Sequence, residues 1–313
     1  MILTQDYNAL AHFDWADLGS GKAYELWRRT KLEVTEKALQ LAPVQVPDMA
    51  NPTESERVEI ENRCRLVNFA RYDSASVIND SDASQKTLRA FAAAFGLQIA
   101  ENHRSAAETG IVALRVSNAP TQVGYIPYST RPMNWHTDGY YNAPDDQISG
   151  FVLHCVQQAL EGGENSFLDP EIAYLRLRDI DPRYISALMQ PDAMVIPENR
   201  ESDGSLRPTS VGPVFFPDPA SGRLQMRYTA RTRSIEWKAD PLVNEAQSAL
   251  RALLIAGDPL ALTTRLSAGQ GILNNNILHN RTGFTDGQAQ GATRIVYRVR
   301  FHNRIGGTRH GET

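Results

Sequence analysis

Apolar and polar positions follow one texture up to about residue 110 and another after it. Residues from about 20 to 42 mix strong helix formers with Leu26, Leu32, Leu39 and Leu41, which predicts a first helix. Thr53 and Glu56 have the spacing of a capping box, with Pro52 just ahead, so a second helix starts there. Val58, Cys64, Val67 and Ala70 can share one of its faces. A third helix is expected over about 84 to 95, where AFAAAF suggests burial on most sides. Beyond it the runs shorten and become β-branched: GIVALRV (110–116) and FVLHCV (151–156), with a loop-rich aromatic stretch between them. Helix returns over about 170 to 190. DAMVIP, VGPVFF and RLQMRYTA then read as strands. Leu242, Ala246, Leu250, Leu253 and Leu254 mark an amphipathic helix, and GILNNNILH and RIVYRVRF are strands again.

Many short strands punctuated by Gly, Pro and Asn predict a closed or double-layered β structure with helices outside it. No linker-like stretch divides the chain. The expectation is a single α+β unit over 1–313, with a mainly helical buttress over about 1–105 and a strand-rich core over about 106–305 that carries the helical insertion.

Composition narrows the partners. A net charge of -4 gives no reason to expect nucleic acid or an anionic membrane. The two cysteines, Cys64 and Cys155, lie far apart and outside any C-x-x-C pair, which argues against a disulfide framework and a thiolate zinc site. MILTQDYNAL lacks a basic-then-apolar run, and no stretch approaches the roughly 18 uninterrupted apolar residues of a membrane span. A soluble cytoplasmic protein is expected. Its oligomeric state is open, and a homo-oligomer is compatible with everything above.

The segment Trp135-His136-Thr137-Asp138-Gly139 carries the first chemical signal. In an extended chain His136 and Asp138 point the same way and offer an imidazole and a carboxylate to one point. One more histidine would complete the facial triad of non-heme iron(II) oxygenases. Alone, H-x-D is a weak pattern, because a histidine near an aspartate is more often a surface pair. His279, at the end of an apolar strand, adds weight, as do Arg294 and Arg298 beyond it. Arg294, Val296 and Arg298 share one face of a strand. Buried guanidiniums call for anions, and Arg grips carboxylates in bidentate fashion. The competing reading is an edge strand with solvated arginines.

His136-Thr137-Asp138, then Gly162-Gly163-Glu164-Asn165, then His279, then Arg294 to Arg298, together resemble the taurine dioxygenase/clavaminate synthase-like family. The resemblance covers about residues 110 to 303. It implies a double-stranded β-helix, a jelly-roll (cupin-like) barrel with helical insertions. It implies Fe(II), with 2-oxoglutarate and O2 as cosubstrates, and release of succinate and CO2. His136, Asp138 and His279 would ligate the metal and form the catalytic set. Arg294 would pair with the distal carboxylate of 2-oxoglutarate. Arg298 would lie near the cosubstrate or meet an anionic group of the substrate. The family commonly has a Thr after G-G-x; here Asn165 stands there, an amide that can also donate. Members that halogenate resemble this pattern with a small residue in place of the carboxylate, so Asp138 favours a hydroxylase.

Other residues have weaker signals. Tyr140, Tyr141 and Asn142 follow the metal motif and either line a substrate pocket or pack its rim. Arg227, Arg231 and Arg233 alternate. They are either a solvated face or, through Arg231 or Arg233, selectors of an anionic small-molecule substrate. Of Asn274, Asn275 and Asn276, at least one is expected to bond across the site or to a loop. His154 reads as structural, and His302 and His310 have no assigned role. Two rival functions stand beside a small-molecule oxygenase. One is an oxygenase for a protein or carrier-bound substrate, with residues 170–190 as a lid. The other is a non-catalytic metal-binding sensor barrel.

Overall fold

The structure is a computed structural model that describes residues 10, 13–74, 80–100, 109–119, 122–143, 146–200, 204–287 and 293–306. His310 lies outside these residues.

Among the described residues, three helices lie between residues 13 and 100. Helix α1 (Gly21–Gln40) turns Tyr24, Trp27, Lys31, Val34 and Ala38 inward, whereas Leu26 is 48% exposed. Leu26 therefore does not mark the buried face, although Leu32 and Leu39 pack against the core part-buried. Trp27 does, because it stacks on Phe13 and meets Trp15 and Tyr174 edge-on. Helix α2 (Glu54–Val67) opens on the expected capping box. The Thr53 hydroxyl accepts from the Glu56 N–H at 3.4 Å, and the Glu56 carboxylate accepts from the Thr53 N–H at 2.8 Å. Ile60, Cys64 and Val67 form its buried face. Val58 faces solvent, and Ala70 belongs to the following strand, since Asn68 at φ 63° ends the helix. Helix α3 (Asp82–Ala94), capped by Ser81, buries only one side, through Leu88, Phe91 and Ala92.

Among the described residues, ten strands form the two principal sheets. They are β1 (Val44–Gln45), β2 (Phe69–Asp73), β3 (Ile111–Leu114), β4 (Met133–His136), β5 (Gly150–Gln157), β6 (Asn165–Leu168), β7 (Leu262–Thr264), β8 (Gln270–Asn274), β9 (Leu278–Arg281) and β10 (Ile295–Phe301). The larger sheet runs β1-β2-β8-β5-β10-β3, and the smaller runs β7-β6-β9-β4. All pairs are antiparallel except β1 with β2. RLQMRYTA leaves regular strand after Met226, yet Tyr228 to Ala230 continue beside β4. Thr137 N–H donates to the Tyr228 carbonyl (3.0 Å), and Ala230 N–H donates to that of Trp135 (2.8 Å).

Strand β5 is buried on both faces, which explains its unbroken apolar run. Phe151, Leu153 and Cys155 share a core with Phe167 and Leu278 of the smaller sheet. Val152 and Val156 join Cys64, Leu88 and Phe91 of the helices in a second core. His154 points into that second core. Its Nδ1 lies 2.9 Å from the Tyr72 hydroxyl, and burial pushes its pKa down to about 4. Between the unfolded value near 6.5 and pH 4 the unfolded chain binds a proton that the folded chain refuses. Stability is then full above about pH 6.5 and falls by about 3 kcal/mol as pH drops to 4. His154→Leu should remove that part of the pH dependence in urea titrations; an unchanged slope refutes this.

Residues 170–190 form two helices, α4 (Pro170–Ile180) and α5 (Pro182–Leu188), separated where Pro182 holds Asp181 extended. Ile172, Ala173, Tyr174, Leu175 and Leu177 are fully buried, so this excursion is core and does not form a lid. The last helix, α6 (Pro241–Ala256), buries Val243, Ala246, Leu250 and Leu254. Lys31 of α1 meets α4 inside the protein: its Nζ is 2.6 Å from Asp169, 2.7 Å from Glu171 and 2.8 Å from the Leu66 carbonyl. No helix among the described residues is long and apolar enough to cross a membrane.

Candidate active site

His136 ends β4, and in the antiparallel register His279 of β9 sits directly opposite it. The imidazole centroids are 4.2 Å apart. Each ring is oriented by its own chain. Nδ1–H of His136 donates to the Asn134 carbonyl (2.8 Å), and that of His279 to the Ile277 carbonyl (3.0 Å). This tautomer, inferred from the carbonyl partners, leaves both Nε2 lone pairs free. Asp138 completes the group, with Oδ1 3.8 Å from Nε2 of His136 and 3.9 Å from Nε2 of His279. One donor atom from each residue lies within 4.8 Å of the others.

Electrostatics prepares these atoms as ligands. Burial lowers both histidine pKa values, that of His136 to about 3, so both rings are neutral at pH 7. Burial would raise the Asp138 carboxyl, but the Arg298 and Arg300 guanidiniums outweigh it and hold the group well below the usual range. Arg300 Nε donates to Oδ2 of Asp138 at 2.7 Å, and Nη1 of Arg298 is 3.5 Å from Oδ1. Oδ2 is thereby occupied, while Oδ1 faces the imidazoles.

The backbone at Asp138 is fixed by Asn276. Its Oδ1 accepts from Asp138 N–H (2.8 Å), and its Nδ2 donates to the carbonyls of Asp138 (2.9 Å) and Ile148 (2.7 Å). Asn276 is the member of the asparagine triplet that reaches the site. Gly139 turns the chain away at φ 66°; a Cβ there would lie 2.5 Å from Ile148.

A cavity of about 500 Å³ opens over His136 and Asp138. Arg298, Arg300, Tyr140, Tyr141 and Arg231 line it, as do Arg207, Tyr128 and Asn134. His279 lies beneath, against Phe151 and Phe167. Arg294 and Asn165 do not line this cavity; they line a separate small hollow with Gly163 and Cys155, where the Asn165 amide donates to the Asn280 carbonyl (2.9 Å). Asn142 is turned aside, its amide donating to the Asp146 carbonyl (2.8 Å), and Arg233 is exposed; neither lines the cavity. Arg227 is buried against the Met194 and Ser210 carbonyls. Sequence reasoning missed Arg300, although it continues the alternation of Arg294, Val296 and Arg298 by one step. It also missed Arg207, which no local pattern marks.

The sequence of this site lies within a longer match. A model of the taurine catabolism dioxygenase TauD, TfdA family matches residues 61–300. The chain belongs to the TauD, TfdA family. No curated protein sequence matches it. Solved structures do. Asparagine oxygenase in complex with Fe(II), 2S,3S-3-hydroxyasparagine and succinate is 13% identical, with 96% of this chain and 92% of that chain covered and a TM-score of 0.58. A mutant of the non-heme iron oxygenase OrfP, in complex with (3S)-hydroxy-L-Arg, gives the same identity, coverage and TM-score. A taurine dioxygenase from Burkholderia xenovorans is also 13% identical, with 84% and 90% covered and a TM-score of 0.54. At these identities the likeness is one of fold, and it shows that this TauD, TfdA family member keeps the mixed helix-and-sheet architecture.

Proposed function

We propose that this family member is an Fe(II)- and 2-oxoglutarate-dependent oxygenase that hydroxylates, or otherwise oxidises, a small polar anionic metabolite. The observation that carries the reading is the convergence of His136, Asp138 and His279 on one point at the floor of a cavity. Two neutral imidazole nitrogens and one carboxylate oxygen suit a divalent ion of intermediate softness. Octahedral bonds near 2.1 Å place neighbouring ligands about 3 Å apart, so the pairs at 3.8 and 3.9 Å need only a small contraction. No fourth protein ligand joins the cluster among the described residues, which leaves positions for cosubstrate and O2. The two facing sheets support a double-stranded β-helix core within a single domain.

When bound, Fe(II) with 2-oxoglutarate supplies the oxidation, reducing O2 and releasing succinate and CO2 as the substrate is oxidised. The chain's own residues do the rest. His136 and His279 donate lone pairs, and Asp138 contributes one negative charge through Oδ1. Asn276 and Arg300 hold Asp138 in place. Arg294, with Asn165 beside it, receives the distal carboxylate of 2-oxoglutarate, and Arg298 faces the reacting centre. Asp138 fills the position that a halide would need, which favours hydroxylation over halogenation. The hydroxylated amino acids named with asparagine oxygenase and OrfP support a small polar substrate. Residues 170–190, the lid expected for a protein or carrier substrate, are packed into the core, which favours the small-molecule reading.

The test is anaerobic loading with Fe(II), then 2-oxoglutarate, while the visible charge-transfer band of the chelate is recorded. The band is expected in the native protein. In Arg294→Ala the 2-oxoglutarate needed for half the band should rise roughly 10- to 150-fold, the loss of a charged hydrogen bond. Iron retained without a band overturns the cosubstrate assignment.

A further inference from the structure

We infer that Arg300 is a positioning residue that keeps Asp138 a one-oxygen ligand and so keeps one position on the metal open. The inference rests on the function proposed above and goes beyond it, to what holds the place for O2 free. The carboxylate plane of Asp138 is not set by its own chain. Asn276 fixes the backbone there, but the last torsion of an aspartate is broad and roughly two-fold. A carboxylate can bind a metal through one oxygen or through both. An octahedral ion has six positions, and His136, Asp138 and His279 fill three of them when each gives one atom. A chelating cosubstrate takes two more, and one remains for O2. If Oδ2 joined Oδ1 on the metal, that last position would be gone.

Arg300 is placed to hold Oδ2 away. Strand β10 sets it opposite Phe151 of β5, and the Phe151 ring packs on His279 at 4.7 Å. Arg298 and Arg300 are two apart and project from one face of the strand. Arg300 is buried, and its Nε donates to Oδ2 at 2.7 Å, the short distance of a charge-assisted bond. Its Nη1 donates to the Tyr141 hydroxyl at 3.1 Å, and Tyr140 meets the Tyr141 ring edge-on at 5.1 Å. The Arg300 carbonyl accepts from the Ala100 N–H at 2.9 Å. Backbone and guanidinium are thus both tied, and Oδ2 cannot turn toward the imidazoles without breaking its bond. Arg298 does not duplicate this contact. Its Nη1 is 3.5 Å from the other oxygen, Oδ1, which lies 3.8 and 3.9 Å from the two Nε2 atoms. Asn276 sets where the carboxylate is, and Arg300 sets which oxygen faces the metal.

The experiment counts the waters on Mn(II) bound to the full chain, from the broadening of its electron spin resonance lines in water enriched in the magnetic oxygen isotope. Water fills the positions that the protein leaves. The native protein should hold three waters, the positions not taken by its three ligands. R300M places a methyl group where Nε stood and offers no donor, so the count should fall to two. R300Q keeps an N–H at about the place of Nε and should restore three. A merely structural role would lower the melting temperature without moving the count. R300L takes the place of R300M if that variant does not melt cooperatively, with the same count expected. The chelate band with Fe(II) and 2-oxoglutarate is recorded separately. Its absence, with the water counts as expected, reports failure of the proposed cosubstrate and leaves this inference standing. A native protein that binds no Mn(II) overturns the proposed function and this inference with it. Two waters on the native protein, the same count in R300M and R300Q, or loss of Mn(II) from a variant that still melts cooperatively would each overturn the inference alone.

Discussion

Replacing His279 with alanine is expected to weaken Fe(II) binding by at least about a hundredfold and to abolish the chelate band. The residue supplies one of three donor atoms, its ring is oriented by the Ile277 carbonyl, and no further ligand side chain joins the cluster among the described residues. The variant also tests cleanly. His279 is neutral, and its removal leaves a small cavity between Phe151 and Phe167 but strands no charge. Asp138→Ala, in contrast, would leave Arg298 and Arg300 buried without their carboxylate, and a loss of metal could then be a loss of fold. Thermal melting with and without added Fe(II) or Mn(II) gives the readout. A ligand that binds only the folded state raises the melting temperature. The native protein should show that rise and His279→Ala should not. A full metal-dependent rise in the variant would remove His279 from the ligand set.

Lys31→Met should cost about 3–5 kcal/mol of folding stability, the usual effect of deleting one partner of a buried ion pair. Nothing at the active site changes in this variant. Lys31 is fully buried and bridges Asp169 and Glu171. Glu171 keeps a second partner, since Arg223 Nη2 lies 2.7 Å from it. Asp169 keeps no ion pair, only the Asn68 amide at 2.9 Å, the Glu171 N–H and the more distant Arg304 charge, and burial already raises its pKa. Asp169 is therefore the group left uncovered. Urea unfolding should show the loss, and adding Asp169→Asn to Lys31→Met should restore part of it. A cost below about 1 kcal/mol for Lys31→Met would show that water or Arg223 takes over its role.

The sequence carried the site better than it carried the helices. His136 and Asp138 were legible because residues two apart in an extended segment face the same way. The asparagine triplet was legible as polar residues that a buried strand has little reason to hold, and Asn276 is the member that reaches the site. Arg207 was not, because it reaches the cavity from a short hairpin whose position is set by tertiary packing. Helix α1 was legible as a helix, but not the face it buries, which a cluster of aromatic rings and the buried Lys31 set. Asn142 looked like a pocket residue from its place after the metal motif. The turn at Gly139 sends it toward Asp146 instead.

The larger sheet also sets a constraint on how the protein is made. Strand β2 pairs with β8, placing Ala70 opposite Leu273, and β5 waits for β10, placing Leu153 opposite Arg298. During synthesis the early strands leave the ribosome long before their neighbours exist. A nascent chain stopped short of residue 270 carries β2 and β5 with open edges and uncovered apolar faces, and His136 and Asp138 without His279. Such long-range pairing slows folding and leaves intermediates prone to aggregate. Closure of the central sheet and assembly of the metal ligands therefore both wait for the residues beyond 270.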